Sequence, residues 1–517
     1  MLKFLRKNNK KYLFLWLIAT ILFASYRPVF SLLVLFDSDY IKNENGTFFY
    51  LFFVNLLVLG SIVGMNFISQ FIKNRFFATS LEKMNEQMYK TFQRFSLSEL
   101  VEKYPTSKII KIFTTDNPLV VSNYLGSIES LLYFVCSFFL GSIVILNIDW
   151  RIWVFLVVIT CISFGVTKFF AEKIAQTQKR YNDSQEGIIH VLQDVFEQVA
   201  VMKIFGIGKR LSKRFHTENE EMSHHFFKNR HYQSVIEVVN DACLWSIQVG
   251  LLLIGFLLIS RKELDFAELL AITQSVETIT TPIFWLSDIL TELYATKEIR
   301  KENDVLLFSK NTKNTQAESF EKITLENVSV NFQEKTIGEL SSVMEKGKKY
   351  LITGKNGSGK STLLKLLISE IASFEGDIKV DDVSLATNNL NGITGYVSQK
   401  VKLYKGSVEE NIISFDKKND DHLEKVGELC FGEKFEQLRS KQAQELSGGE
   451  SMLTTIARAL YSDRELLIVD EPTSAMDDEN TQKILEILSK TNKTVVAVLH
   501  HLTEKDKQLF DEVIEMP

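Results

Sequence analysis

Long apolar runs crowd the first 300 or so residues and are missing from the rest, and this asymmetry limits the possible folds most. A helix needs ~20 mostly apolar residues to cross a bilayer. Residues 12–36, 48–72, 124–148, 153–170, 235–260 and 266–293 satisfy that to different degrees. The fourth is short, and the sixth carries several acids. The average of 45% hydrophobic and 24% charged residues over 517 hides this split, because the last 200 residues read as a soluble α/β protein. The first run is too long, and lacks the small-residue cleavage site, for a secretory signal.

Lysine and arginine placement orients the spans. Lys3, Arg6, Lys7, Lys10 and Lys11 precede the first span and put the N-terminus on the cytoplasmic side. Asp37, Asp39 and Glu44 against Lys42 suit the outside. The stretches 73–123 and 171–234 are rich in Lys and Arg and fall inside, so the C-terminus is cytoplasmic too. Both are far longer than loops need to be. Their helical apolar spacing, as in Ile188, Val191, Leu192, Val195 and Val199, predicts spanning helices that continue into the cytoplasm. A polar linker at 309–319 then separates an all-α membrane domain of six spans, 1–308, from an α/β domain, 320–517. The net charge of −5 gives no reason to expect nucleic acid as a partner. Cys136, Cys161, Cys243 and Cys430 show no metal or disulfide spacing.

After the linker, the apolar strand Tyr350, Leu351, Ile352 runs into Gly354-Lys355-Asn356-Gly357-Ser358-Gly359-Lys360-Ser361-Thr362 and then a leucine-rich helix. This is a phosphate-binding loop in its proper strand–loop–helix context. Glycines let backbone N–H groups wrap a phosphate, and the helix N-terminus favours the anion. Gly354, Asn356, Gly357, Ser358, Gly359 and Thr362 are therefore nucleotide-binding candidates. Lys360 would reach the β- and γ-phosphates of ATP, and the Ser361 hydroxyl would ligate Mg²⁺. The buried-strand run Leu466 to Val469 ends in Asp470-Glu471. Asp470 suits a hold on Mg²⁺ through water, and Glu471 is placed to polarise the attacking water. A later apolar strand, 494–499, ends at His500, which could steady that water.

Leu446-Ser447-Gly448-Gly449-Glu450 resembles the signature that separates ABC ATPases from other phosphate-loop proteins, and it precedes Asp470 as that family requires. Gln399, in Tyr396-Val397-Ser398-Gln399, resembles the family's Q-loop glutamine, which joins Mg²⁺ to the membrane domain. Ser474-Ala475-Met476-Asp477 resembles the D-loop, His500 the switch histidine, and Phe332 the aromatic that stacks on adenine. The layout is similar to ABC exporters of the half-transporter type. Pro105 to Asp116 resembles the first coupling-helix region, and Val201 to Phe215 the tract after the second. Three departures stand out. Glu450 replaces the usual glutamine, Phe332 the commoner tyrosine, and the stretch from Gln399 to Leu446 is short for an exporter. No peptidase domain precedes the first span, so no leader-cleaving activity is expected.

The resemblance implies a dimer, because the signature of one cassette faces the phosphate loop of another. Ser447, Gly448 and Gly449 then bind nucleotide, a homodimer is favoured, and pairing with a different half-transporter is the alternative. ATP closure and hydrolysis would drive alternating access. For cargo, Glu237, Asp241, Glu268, Glu277, Asp288 and Glu292 lie in the last two spans. Ionisable residues there face a cavity or pair with one another. Asp241, Glu277 and Asp288 are the candidate cargo residues, suiting a cationic or amphipathic cargo such as a basic peptide. Pairing with Arg27 and Lys297 is the plainer account, and Arg27-Pro28 reads as a kink with a paired charge. Lipid or drug export, and a regulatory ATP sensor that transports nothing, are the rival readings. Usage rich in Lys, Asn, Ile and Phe suggests a bacterium with an AT-rich genome, hence its plasma membrane.

Overall fold

The computed structural model describes residues 2–43, 48–309, 315–332, 335–355, 357–385, 388–414, 418–462, 464–473, 478–499 and 502–516. The chain divides into two compact units: Met1–Thr91 with Ile110–Ser309, and Phe92–Ile109 with Lys310–Pro517.

The first unit is all helix. α1 (Leu2–Asn8), α2 (Lys10–Ala24) and α3 (Tyr26–Asn43) lead to the long α4 (Phe48–Arg94). α5 (Leu97–Lys103) belongs to the second unit. The chain returns through α6 (Thr106–Lys111), α7 (Asn117–Leu119) and α8 (Gly126–Ile148), with π-helical turns on either side of α7. Then come α9 (Trp150–Glu197), α10 (Val199–Ile204), α11 (Gly208–Ser260), α12 (Phe266–Phe284), α13 (Leu286–Ala295) and α14 (Lys297–Phe308).

Among the described residues, five stretches are long and apolar enough to cross a membrane: Lys10–Lys42, Phe48–Arg94, Thr106–Ile148, Trp150–Glu197 and Gly208–Ser260. The sixth expected span, α12, is the right length, but Glu268, Gln274 and Glu277 lower its hydropathy. α11 is 53 residues long, about 80 Å at 1.5 Å per residue. That is more than twice the ~30 Å of a hydrocarbon core, so the helix outruns the bilayer. In the first span the kink expected at Arg27-Pro28 falls at Ser25, between α2 and α3. Pro28 has no N–H to give the carbonyl of Ala24, and the Ser25 hydroxyl turns back to the Leu22 carbonyl at 2.7 Å.

Packing between these helices uses small residues. A Cβ on Gly141 would sit 1.8 Å from the Thr278 hydroxyl, so α8 and α12 touch closely only because Gly141 lacks one. Ile145, Ile152, Leu156, Ile247, Leu251 and Ile272 fill the space around that contact.

The helical stretch is interrupted once by residues of the second unit. The residues grouped with the second unit are 92–109, and Leu97, at the start of α5, packs on that unit's core. A capping box between Ser96 and Glu99 starts α5 just there.

The second unit is built on a five-stranded parallel sheet in the order β11 (Glu512–Met516), β4 (Lys349–Gly354), β10 (Thr494–Val498), β9 (Leu466–Asp470), β8 (Thr394–Val397). β1 (Thr315–Gln316), β2 (Lys322–Phe332) and β3 (Lys335–Glu345) precede β4 (Lys349–Gly354) and α15 (Lys360–Leu367). β5 (Glu375–Val380), β6 (Val383–Ser384), β7 (Asn388–Asn389) and β8 (Thr394–Val397) follow. β2, β3, β5 and β6 make an antiparallel sheet, and β1 pairs with β7. Helices α16 (Val408–Ile413), α17 (Asp420–Phe431), α18 (Phe435–Leu438) and α19 (Gly448–Tyr461) come before β9 (Leu466–Asp470). α20 (Asp478–Lys490), β10 (Thr494–Val498), α21 (Glu504–Lys507) and β11 (Glu512–Met516) complete it.

Alternation along the parallel strands builds two cores at once. Leu351, Leu467, Val469, Val495 and Ala497 face the helices α16 to α20. Tyr350, Ile352, Leu466, Ile468, Val496 and Val498 face α15 and the antiparallel sheet. With both faces covered, only the strand ends are left for polar chemistry.

Candidate functional site

Parallel strands end on one side of their sheet, and that side is where ligands bind in such folds. Here β4 ends at Gly354, β8 leads to Gln399, β9 ends at Asp470, and β10 ends at Val498. Register confirms the alignment, with Val469 opposite both Val397 and Ala497. Residues far apart in the chain, such as Ser361 and Asp470 at 109 positions, are therefore neighbours.

The loop after β4 is shaped by its glycines. Gly354 has φ +146°, Gly357 +85° and Gly359 +101°, values that side chains rarely adopt. A Cβ on Gly354 would also meet the Met516 carbonyl oxygen at 2.8 Å. The Lys360 ammonium folds over this loop and donates to the carbonyls of Gly354 and Lys355, both at 2.9 Å. Ser358 Oγ is buried with no hydrogen-bond partner among the described residues. A buried hydroxyl in that condition is costly, and a phosphate oxygen held by the loop would satisfy it.

Two further contacts join strand ends. The Ser361 hydroxyl donates to Asp470 Oδ1 at 3.2 Å, and Gln399 Nε2 donates to Glu471 Oε2 at 2.7 Å. Burial pushes the Asp470 carboxyl above its ordinary range, partly opposed by the Ser361 hydroxyl. Burial and the nearby Asp470 charge raise the Tyr396 phenol to about 12. A buried carboxylate with one hydroxyl partner is a site poised for a cation, and the donor set of Ser361, Asp470 and Gln399 is all oxygen, as Mg²⁺ requires. Glu471 has φ +45°, a strained value for a glutamate. Its N–H is fixed on the Val498 carbonyl at 2.9 Å, which aims the carboxylate out of the strand end.

Ser447 caps α19, so Gly448 and Gly449 occupy the first turn of a 14-residue helix. The Ser447 hydroxyl accepts from the Glu450 N–H at 3.2 Å, and Glu450 Oε2 accepts from the Ser447 N–H at 2.9 Å. Either glutamate or glutamine can close this capping box, but only a carboxylate also pairs with the Lys441 ammonium, here at 3.1 Å. The Ser447 amide and the Lys441 ammonium hold the Glu450 carboxyl below the usual carboxylate range. Gly448 faces open space. Among the described residues, no hydrogen bond joins Ser447, Gly448 or Gly449 to the Gly354–Ser361 loop.

Asn356, Ser474 to Asp477 and His500 lie outside the described residues, as do the side chains of Phe332 and Asp288. Sequence reading missed Arg458, on the signature helix α19. Its guanidinium donates to the Asn411 carbonyl, to Asn411 Oδ1 and to the Lys402 carbonyl at 2.8, 2.7 and 3.0 Å. It thereby ties α19 to α16 and to the segment just after Gln399. Its sequence signal was a charge set among the apolar residues Ile456, Ala457, Ala459 and Leu460.

The first unit holds a cavity of about 750 Å³ between α11 and α12. Glu237, Asp241 and Glu277 line it beside Leu244, Ile247, Leu251, Val276 and Trp285. Two of the three candidate cargo residues thus share one pocket. Glu277 is also ion-paired with Arg27 of α3.

A helical membrane unit followed by a phosphate-loop ATPase unit with a signature helix defines an ATP-binding transport protein of the half-transporter kind. The chain belongs to the ABC transporter family, matching its transmembrane region over 13–283 and its ATPase domain over 337–474. It is a multi-pass membrane protein of exporter layout. It is 23% identical over 84% of its length to a probable ABC transporter ATP-binding/permease protein of Haemophilus influenzae, of which it covers 82%. It is 23% identical over 84% of its length to the lacticin-481/lactococcin-DR transport/processing ATP-binding protein of Lactococcus lactis, covering 60% of that protein. With an ATP-dependent lipid A-core flippase of Methylococcus capsulatus it shares 25% identity, over 68% of this chain and 62% of the flippase. Its fold resembles a bacterial Atm1-family ABC exporter with ATP bound, at TM-score 0.78 and 17% identity, covering 98% of this chain and 93% of the other.

Proposed function

We propose that this chain is half of a dimeric exporter that hydrolyses MgATP to move an amphipathic cationic cargo, a basic peptide in the first instance. In this reading the membrane domain is 1–308, the linker 309–319 and the ATPase domain 320–517, with both termini cytoplasmic in a bacterial plasma membrane. Lys360 holds the β- and γ-phosphates, and the amides around Gly357 and Gly359 wrap them. Ser361, Asp470 and Gln399 hold Mg²⁺, which neutralises phosphate charge. Glu471 takes the proton of the attacking water, and His500 steadies that water. Phe332 stacks on adenine. Ser447, Gly448 and Gly449 bind the nucleotide of a second copy, so a homodimer has two equivalent sites.

One observation carries this reading: Ser361–Asp470 and Gln399–Glu471 are paired across the ends of three strands, at the mouth of the phosphate loop. Asp470 and Glu471 are adjacent in the chain yet have different partners, which suits a division between metal and water. For the cargo, support comes from the pocket that Asp241 and Glu277 share and from the relative named for lacticin and lactococcin transport. The apolar wall of that pocket and the flippase relatives favour lipid export as the second reading.

The test is ATP hydrolysis by the purified chain in lipid nanodiscs. Glu471→Gln is expected to cut turnover by about 10²- to 10⁴-fold while leaving ATP binding intact. Hydrolysis that survives this change would remove Glu471 from the mechanism. No turnover from folded wild type would point to a different half-transporter as the required partner.

A further inference from the structure

The Arg27–Glu277 pair occupies an unusual position. Glu277 lines the cavity between α11 and α12, whereas Arg27 stands outside its lining, on α3. The exposures agree: the glutamate side chain is 58% exposed and the arginine 32%. Glu277 thus turns an open flank to the cavity while Arg27 holds its other side. Arg27 has a second home as well. Its Nε donates to the Tyr26 hydroxyl at 2.6 Å, and its guanidinium carbon lies 5.5 Å from the centre of the Tyr26 ring. An arginine that keeps an aromatic face and a hydroxyl can give up a carboxylate without being stranded.

From this geometry we infer that Arg27 is a resident competitor for the charge of the cargo: a cationic group entering the cavity takes Glu277 from Arg27 and so frees α3 from α12 at that level. The inference rests on the reading of this cavity as a cargo site and specifies how that site registers its occupant. The pair is partly exposed, so its attraction is modest, and replacing one cation by another keeps the Glu277 carboxylate compensated at little cost. A neutral occupant of the same shape offers no such exchange. The exchange therefore favours positive cargo and at the same time loosens one tie between the first and sixth spans. Two other ties stay: the Ser31 hydroxyl on the Ala271 carbonyl at 2.6 Å, and Lys42 on Asp265 at the far end of α3. Release at Arg27 then changes the local fit of α3 on α12 without parting the helices.

The experiment is ATPase stimulation of the full chain in nanodiscs by a lysine-bearing amphipathic peptide, with its amine-acetylated form as control. Each variant is scored as stimulated over basal rate. Arg27→Gln removes the competitor, and the half-stimulating peptide concentration is expected to fall about fivefold, the worth of a partly exposed ion pair. The charge swap Arg27→Glu with Glu277→Arg restores a pair but turns a cation to the cavity, so stimulation by the amine peptide is expected to be lost. Lys42→Gln cuts a tie between the same helices away from the cavity and should respond as wild type does. If the swap responds like wild type, or Lys42→Gln like Arg27→Gln, the pair is only structural and the exchange is refuted. If wild type answers both peptides equally, the cationic-cargo reading itself fails, and the exchange with it. Stimulation of wild type by the amine peptide alone, with Arg27→Gln unshifted, overturns the exchange and leaves that reading standing.

Discussion

Arg458→Met tests whether the guanidinium network sets the stability of the segment beside Gln399. Arg458 makes three hydrogen bonds, to the Lys402 carbonyl, the Asn411 carbonyl and Asn411 Oδ1. Asn411 is fully buried and itself donates to the carbonyls of Tyr404 and Ser407, both at 3.0 Å. At about 1.5 kcal/mol for each bond from a charged donor, the three are worth about 4.5 kcal/mol. Arg458 is partly buried, and burial depresses its pKa; relieving that burial returns about 2 kcal/mol. Local stability should therefore fall by about 2–3 kcal/mol, with methionine keeping the apolar stem. Hydrogen exchange followed by mass spectrometry, on the full chain in nanodiscs, reads this segment directly. The Tyr404 amide, bonded to Asn411 Oδ1 at 2.8 Å, and the Asn411 amide, bonded to the Ser407 carbonyl at 3.0 Å, report on it. Their exchange is expected to speed up about 30- to 150-fold, tenfold per 1.4 kcal/mol. Arg458→Lys keeps the charge but cannot span three acceptors, so most of the effect should remain. Unchanged exchange across residues 402–413 in the methionine variant would refute the argument.

The other expectations concern the two carboxylates at the ends of the site. Because the folded pKa of Asp470 is raised, its favourable contribution exists only below the unfolded value, about 3.9, and is lost as pH rises through the folded one. Asp470→Asn should then match or exceed wild-type stability at pH 7 without nucleotide, with the gap closing toward pH 4, by denaturant midpoint. With MgATP the order should reverse. Glu450 is the opposite case, with its folded pKa lowered, so its contribution is present above about 4.3 and fades as pH falls through the folded value. Glu450→Gln should cost most near neutrality and little in acid, and Ser447→Ala should cost about 1 kcal/mol as a lost N-cap; an equal deficit for Glu450→Gln at every pH would deny its carboxylate that role.

Much of this protein was legible in its sequence because the signals are local. An apolar run long enough for a bilayer needs no partner to be recognised, since the solvent dictates it. The phosphate loop is likewise contiguous, so glycines, lysine and serine from 354 to 361 state their own geometry. The fourth and sixth spans read as the weakest by hydropathy; the fourth lies in a helix, Trp150–Glu197, that is apolar enough to cross, whereas α12 puts its acids and Gln274 where lipid alone would want carbon.

What one-dimensional spacing could not decide were the pairings. Gln399 and Glu471 are 72 residues apart, and Ser361 and Asp470 are 109 apart. They meet only because β4, β8, β9 and β10 run parallel in one sheet and all end on the same side. Glu277 read as a candidate cargo residue, with pairing to Arg27, 250 positions away, as the plainer account. Packing of α3 on α12 gave it both a partner and an open flank, because hydrogen-bond and ion-pair reach is a few ångströms in space and takes no account of distance along the chain.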